Sequence, residues 1–356
     1  MFTKQSKDFL KKLLMTSSPS GFEYYAGRVY REYLGSFCDK VFTDIMGNSF
    51  GIINEDAPFK VMLAGHYDEI GFQIVHICDN GFIYFRSVGG IDKITLPGTE
   101  VEVLTENGKI SGVIGKKPIH LVEQKDRDKS IEIKDLWIDI GVSDKKTAEE
   151  LVSIGDPIAF KPNYTLLRND RLVSKSLDDK IGAFIAAEVI KSLSAKKLKN
   201  IGVYCVGTVQ EELGLRGAQT AAFSIHPNVG IAIDVGFATD TPDINVKQYG
   251  VAKLGKGPIL HRNADNNIVL GKLLRSTAKE NKIEYQEDAG FRASGGTDTA
   301  VIQLTKSGVA TALISIPNRY MHTQVEMVDL NDVENAVKLL TETISTLQIE
   351  QNFIPE

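Results

Sequence analysis

The sequence predicts an α/β domain, residues 1–69 and 165–356, with a small β-barrel or sandwich, residues 70–164, inserted into it. Strand and helix patterns alternate on both sides of the middle of the chain, the mark of a sheet covered by helices. The middle carries short alternating segments broken by turn signals, "DNG" and "ENG" among them. Strands outside it, such as "NIGVYCVGTV", are apolar at successive residues, as expected of strands buried on both faces.

Element by element, "MFTKQSKDFLKKLLMT" sets Lys against Phe and Leu at helical spacing. It is an amphipathic helix without the unbroken apolar run of a signal peptide. Pro19 and Gly21 stop it, and Ser18 or Ser20 is placed to cap the next helix, "YYAGRVYREYLGSF". "KVFTDIMGNSFGIIN" reads as a hairpin and "KVMLAGHYDEIGF" as a buried strand. Within the insertion only "SDKKTAEELVSI" reads as a helix. "RLVSKSLDDKIGAFIAAEVIKSL" returns to strand then helix. The alternation continues through "NIGVYCVGTV", "NVGIAIDVG", "NNIVLGKLLRSTAKEN" and "VATALISIP" to the final helix, "NDVENAVKLLTETISTLQ".

Hydrophobic residues make up 42% and charged residues 24%, as in ordinary globular chains, and the net charge is −5 with no basic block. Binding to nucleic acid or to an anionic membrane surface has no support in that balance. No apolar run approaches the roughly 18 residues a membrane span needs. Cys38, Cys78 and Cys205 are far apart and odd in number, which fits reduced thiols in a cytoplasmic protein.

Chemistry is suggested where apolar strands end in polar residues. "VMLAGHYDE" gives His66 and Asp68, "LVSKSLDDK" gives Asp178 and Asp179, and "VGTVQEELG" gives Glu211 and Glu212. "IAIDVG" gives Asp234, and "ISIPNRYMH" gives His322. Each follows a hydrophobic strand, so each could sit on one edge of one sheet, where α/β ligand sites lie. Taken singly they have ordinary readings: a structural histidine, a helix cap at Asp178–Asp179, a turn at Asp234. Together, several carboxylates on one edge would repel one another unless cations sat among them. Mixed His, Asp and Glu ligands suit zinc, cobalt or manganese. Two adjacent glutamates at a strand end suggest two different tasks.

With "GHYDEIGF", "SLDDKIGA", "QEELGLRGA", "AIDVG", "GGTDT" and "RYMHTQVEMV" in this order, the chain resembles the dinuclear-metal aminopeptidases of the glutamyl and deblocking aminopeptidase family, whose members build tetrahedral particles. The resemblance runs almost end to end. It implies a mixed-sheet α/β/α metallopeptidase domain with the barrel as a dimerisation and assembly domain. It also implies two divalent ions per subunit, zinc or cobalt first and manganese next. His66 and Asp234 would hold one, Glu212 and His322 the other, and Asp178 would bridge them. Glu211 would be the general base, and Asp68 would orient His66 through its other ring nitrogen. The implied activity is removal of N-terminal residues from short peptides, in a homo-oligomer that is a dodecamer built from six dimers. The bond between Asp178 and Asp179 would be cis.

Where relatives commonly carry Ser-Pro after "YMH", this chain has Thr323-Gln324. "SGGTDT" reads as a Gly-Gly turn with Thr297 or Asp298 capping a helix, and the resemblance sets it beside the substrate pocket. Arg319 and Tyr320 are candidates for an oxyanion contact or a subunit contact. His76, His120, His226 and His261 lack partner spacing. Large apolar residues in "GFIYFRSVGG" and "KDLWIDIGV", Trp137 included, are expected to meet another subunit. A deacylase or carboxypeptidase would use the same ligands. A glycan hydrolase needs two carboxylates and no metal, which leaves His66, His322 and Asp234 without a role.

Overall fold

A computed structural model describes residues 2–126, 130–196, 198–290 and 293–355. Met1 and Glu356, the outer limits of the expected α/β domain, lie outside them. An eight-stranded mixed sheet forms the centre. Its middle is four parallel strands in the spatial order Ile201–Thr208, Phe59–His66, Val229–Phe237, Ala310–Asn318. The hairpin of Lys40–Thr43 and Ser49–Ile53 adds antiparallel beside the Ile201 strand. Ile259–His261 and Gln286–Asp288 close the other edge.

The middle strands are buried because both faces are covered. On one face Leu63, Val203, Ile231 and Ile314 meet the helices Leu177–Ser194, Ile268–Glu280 and Leu330–Thr346. On the other, Met62, Val206 and Ala64 meet the helix Arg216–Ile225 and the short helix Thr299–Gln303. The N-terminal helix Lys4–Leu14, capped by the Thr3 side chain, buries Phe9, Leu10 and Leu13 against the first of these faces. Glycines set how closely the long helix approaches the sheet. A Cβ on Gly65 would stand 2.4 Å from the backbone of Gly182 and Ala183, so only glycine lets the start of that helix rest on the His66 strand.

The inserted segment is a closed barrel rather than a sandwich. Its order is Gly71–Ile77, Ile83–Val88, Trp137–Asp139, Gly108–Gly115, Glu100–Thr105, Pro157–Phe160. Closure leaves no free sheet edge. Phe72 is the centre of its core, with Phe85 and Phe160 edge-on at 4.9 and 5.4 Å. Ile83, Phe85 and Ile138 fill the same core. The apolar content expected to face another subunit is therefore largely spent inside the barrel, and Trp137 itself is half-buried against Phe82. The exposed apolar residues lie elsewhere, at Ile94, Leu121 and Ile154 on the barrel and at Tyr24 and Ile45 beyond it.

Candidate active site

Phe59–His66 and Ile201–Thr208 end at the same level, and the other two central strands run on past it. Thr208 is in register with His66, Asp234 with Ser315, and Ala232 with Ala64, which puts His66 beside Asp234. Glu211 and Glu212 follow the first strand on a bend after Gln210, whose φ is 54°. His322, at φ 63°, lies four residues beyond the last strand. Asp178 arrives differently from the expectation of a single sheet edge. The strand before it, Arg171–Ser174, pairs with Thr165–Leu166 and Glu326–Asp329 in a separate three-stranded sheet. Asp178 and Asp179 then sit at the start of the long helix with non-helical backbone angles, joined by a cis peptide bond.

Two groups of possible ligand atoms result. His66, Asp178 and Asp234 offer one set within 4.8 Å of one another, and Asp178, Glu212 and His322 the other. Asp178 belongs to both: its Oδ1 lies 3.2 Å from His66 Nε2 and its Oδ2 3.2 Å from His322 Nε2. Glu211 belongs to neither, although its Oε2 is 3.7 Å from His66 Nε2.

The donor set fits divalent cations. Glu212 Oε1 is buried with no hydrogen-bond partner. Burial, then the Asp178 charge, pushes the Glu212 carboxyl up to about 8. Burial does the same to Asp234 and Glu211, well above the carboxylate range. The rings go up as well: burial opposes their charge, but the facing carboxylates outweigh it, and His322 reaches about 9. The crowded carboxylates and rings of the two groups are the kind that two positive ions would satisfy, with Glu211 left outside them.

A ring of further carboxylates, of which the sequence reading named Asp68 and Asp179 but not Glu326, holds the backbone of these residues. Asp68 accepts the N–H of Glu211 at 3.0 Å and of Glu212 at 3.2 Å, and the Ser20 hydroxyl. Asp179 accepts the N–H of His66 at 3.2 Å. Glu326 accepts the N–H of Asp178 and of His322, both at 2.8 Å. His66 Nδ1 lies 3.2 Å from the Asp68 carbonyl oxygen and 3.4 Å from its carboxylate. Ser18 and Ser20 do not cap the second helix, which starts after Glu23 without a side-chain cap. Ser18 donates instead to the Tyr67 carbonyl. Asp298 likewise caps nothing, and its Oδ2 takes the Thr208 hydroxyl at 2.7 Å. Glu326 stands inside "RYMHTQVEMV", and Asp179 beside Asp178, so adjacency to a ligand was the available signal.

Glu69, next to Asp68, ties two buried lysines to this scaffold. Lys175 Nζ lies 2.5 Å from Glu69 Oε1 and Lys180 Nζ 2.9 Å from Oε2, all three side chains being at most 2% exposed. The two lysines flank the Asp178 segment. Burial would raise the Glu69 carboxyl, but the two ammonium groups hold it down to about 2. Glu69→Gln is expected to cost about 3 kcal/mol or more of unfolding free energy, because two buried charges lose their partner. A depressed carboxylate stabilises above its ordinary value near 4.5 and loses that contribution as pH falls toward 2. The gap between wild type and variant in urea unfolding should narrow on acidification below about pH 4.5. An unchanged gap would remove the charge explanation.

Arg319 gives its guanidinium to Asp240, at 2.8 and 2.7 Å, so it is engaged away from any oxyanion, and Tyr320 beside it is half exposed. His261 bonds Ser315, while His76, His120 and His226 are exposed, and none of the four joins either ligand group.

Known proteins match this arrangement. A model of the M42 glutamyl aminopeptidases covers residues 47–339. The chain belongs to the M42 glutamyl aminopeptidase family. It is 37% identical over 344 residues to the lysyl aminopeptidase of Pyrococcus furiosus, covering 96% of this chain and 97% of that one. A TET aminopeptidase from a marine-sediment Thaumarchaeota archaeon superposes with a TM-score of 0.92 at 34% identity, over 97% of both chains. A TET1 peptidase of Pyrococcus horikoshii, solved as a dodecamer, gives 0.85 at 34% identity, over 97% of this chain and 100% of that one. This M42 protein is a peptide-bond hydrolase of the aminopeptidase kind. Peptidases of the M42 family are metal-dependent, and the two groups around Asp178 are where metal fits here.

Proposed function

We propose that this M42 peptidase removes N-terminal residues from short peptides, using two divalent cations, zinc or cobalt first and manganese next, in the two groups that share Asp178. The supporting observation is the division between neighbours: Glu212 belongs to a ligand group and Glu211, adjacent in sequence, to none. When bound, the cations would polarise the scissile carbonyl and make a nearby water acidic. Glu211 then takes a proton from the attacking water and delivers it to the leaving amine. Its carboxyl lies in a dry site, 11% exposed, which favours a group that must carry a proton part of the time. Asp68 fixes the backbone of both glutamates, so the base and its neighbouring ligand keep their spacing.

The residues 1–69 and 165–356 form the catalytic domain in this reading, and residues 70–164 form a dimerisation and assembly domain. The protein works in the cytoplasm as a homo-oligomer, a dodecamer built from dimers, a state supported by the solved Pyrococcus horikoshii dodecamer. Among the described residues no helix is long and apolar enough to cross a membrane.

The test is a panel of aminoacyl anilides, lysyl and glutamyl included, assayed after chelation and after return of zinc, cobalt or manganese. Activity should vanish with chelator and return with metal. Full activity in the chelated protein would end the cation reading. Cleavage confined to N-acylated substrates or to C-terminal residues would move the assignment to a deacylase or carboxypeptidase. Light scattering on the metal-loaded protein checks assembly, and a monomer mass at micromolar concentration would exclude the oligomer.

A further inference from the structure

The two ligand groups are supported by different parts of the chain. His66 and Asp234 are strand residues of the central sheet. Glu212 and His322 lie on turns beyond it, and the barrel stands against them. A Cβ on Gly89 would come within 3.2 Å of Glu212 Oε2, and one on Gly90 within 3.4 Å of His322 Nδ1. Two residues past His322, the Gln324 amide donates to the Thr99 hydroxyl at 3.1 Å and approaches the Thr95 carbonyl at 3.4 Å, both on the barrel. The Thr99 hydroxyl is itself oriented by donating to the Thr95 carbonyl at 3.0 Å.

Asn163, where the chain leaves the barrel, adds a second tie. Its Nδ2 donates to the Gln324 carbonyl at 2.9 Å, and its Oδ1 accepts the Lys175 N–H at 2.6 Å. Its own carbonyl accepts the Ser174 hydroxyl at 2.6 Å. One asparagine thus joins the segment entering Asp178 to the segment leaving His322.

We infer that the inserted barrel, through Thr99, Gln324 and Asn163, positions the ligand group of Asp178, Glu212 and His322 and sets how tightly that group holds its cation. The inference rests on the reading of these three residues as ligands. Thr99, Gln324 and Asn163 are positioning residues: they touch no ligand atom and act through the backbone of the loops. Without these ties the tip of the His322 loop, held at its ends by Asn318 of the central sheet and Glu326 of the three-stranded sheet, samples more positions and spends binding energy on ordering. The His66 and Asp234 pair, built into strands, is insensitive to the Thr99 and Gln324 ties, and feels the Asn163 tie only through the shared Asp178.

The experiment titrates cobalt(II) into the full-length, metal-stripped protein and reads the visible absorption of each equivalent, with thermal unfolding of the metal-free forms alongside. His322→Ala is the reference and should lose one equivalent. Gln324→Ala and Thr99→Val should bind one equivalent as wild type does and the other about 10- to 100-fold more weakly, the usual effect of removing a group behind a ligand, while Asn163→Ala, which also frees the segment entering the shared Asp178, should weaken both. Thr99→Ser, which keeps the hydroxyl, should restore wild-type binding. Wild-type titrations for Gln324→Ala and Thr99→Val, or equal weakening of both equivalents in those two variants, would overturn the inference while leaving the ligand reading intact. A His322→Ala variant that still takes two equivalents would overturn the ligand reading itself, and the inference with it.

Discussion

Glu211→Gln is expected to keep its metal and lose its turnover. The amide preserves shape and leaves both ligand groups intact, since Glu211 belongs to neither. It cannot accept a proton from water. Loss of general-base catalysis costs about 10²-fold or more in kcat. Metal content by atomic spectroscopy should match wild type, and KM should change little, because the lost interaction belongs to the transition state. A variant with near wild-type kcat would end the assignment. One with low kcat and empty metal sites would make Glu211 a ligand.

Asp178→Asn is expected to weaken both cations together, whereas Glu212→Ala mainly empties one. The two oxygens of Asp178 face the two histidines separately, 3.2 Å from each. An amide offers one oxygen and no charge, so both sites lose a ligand charge. Metal titration of the stripped variants reads this directly. Clean loss of a single equivalent in Asp178→Asn would show that Asp178 serves one ion.

Much of this architecture could be read from residue patterns. The central strands are apolar at successive positions because both faces are covered, so their burial was legible without a structure. The barrel announced itself through its turns, "DNG" and "ENG". Its closure was not legible, since pairing of Gly71–Ile77 with Pro157–Phe160 joins its two ends and leaves no local mark. Asp178 misled for a similar reason. A strand precedes it, as one precedes His66, yet sequence does not say which sheet a strand will join. Resemblance supplied the ligand roles, while the carboxylates behind them were hidden by their ordinary looks. Asp179 reads as a helix cap and Glu326 as one more surface glutamate, until the fold turns their oxygens onto the amides of His66, Asp178 and His322. Ser18 and Ser20 were credited with a local cap because capping is a short-range signal, and their partners, Tyr67 and Asp68, are far away in the chain.

Those amide contacts join residues 113, 143 and 148 positions apart. Only short pieces of the site are local, such as His66 with Asp68 and His322 with Glu326. A growing polypeptide holds His66 early, but Asp179, which fixes it, comes more than a hundred residues later, and Glu326 only after the last sheet strand has emerged. The site is therefore drawn from distant parts of the chain, and it is complete only when the segment carrying His322 and Glu326 is in place.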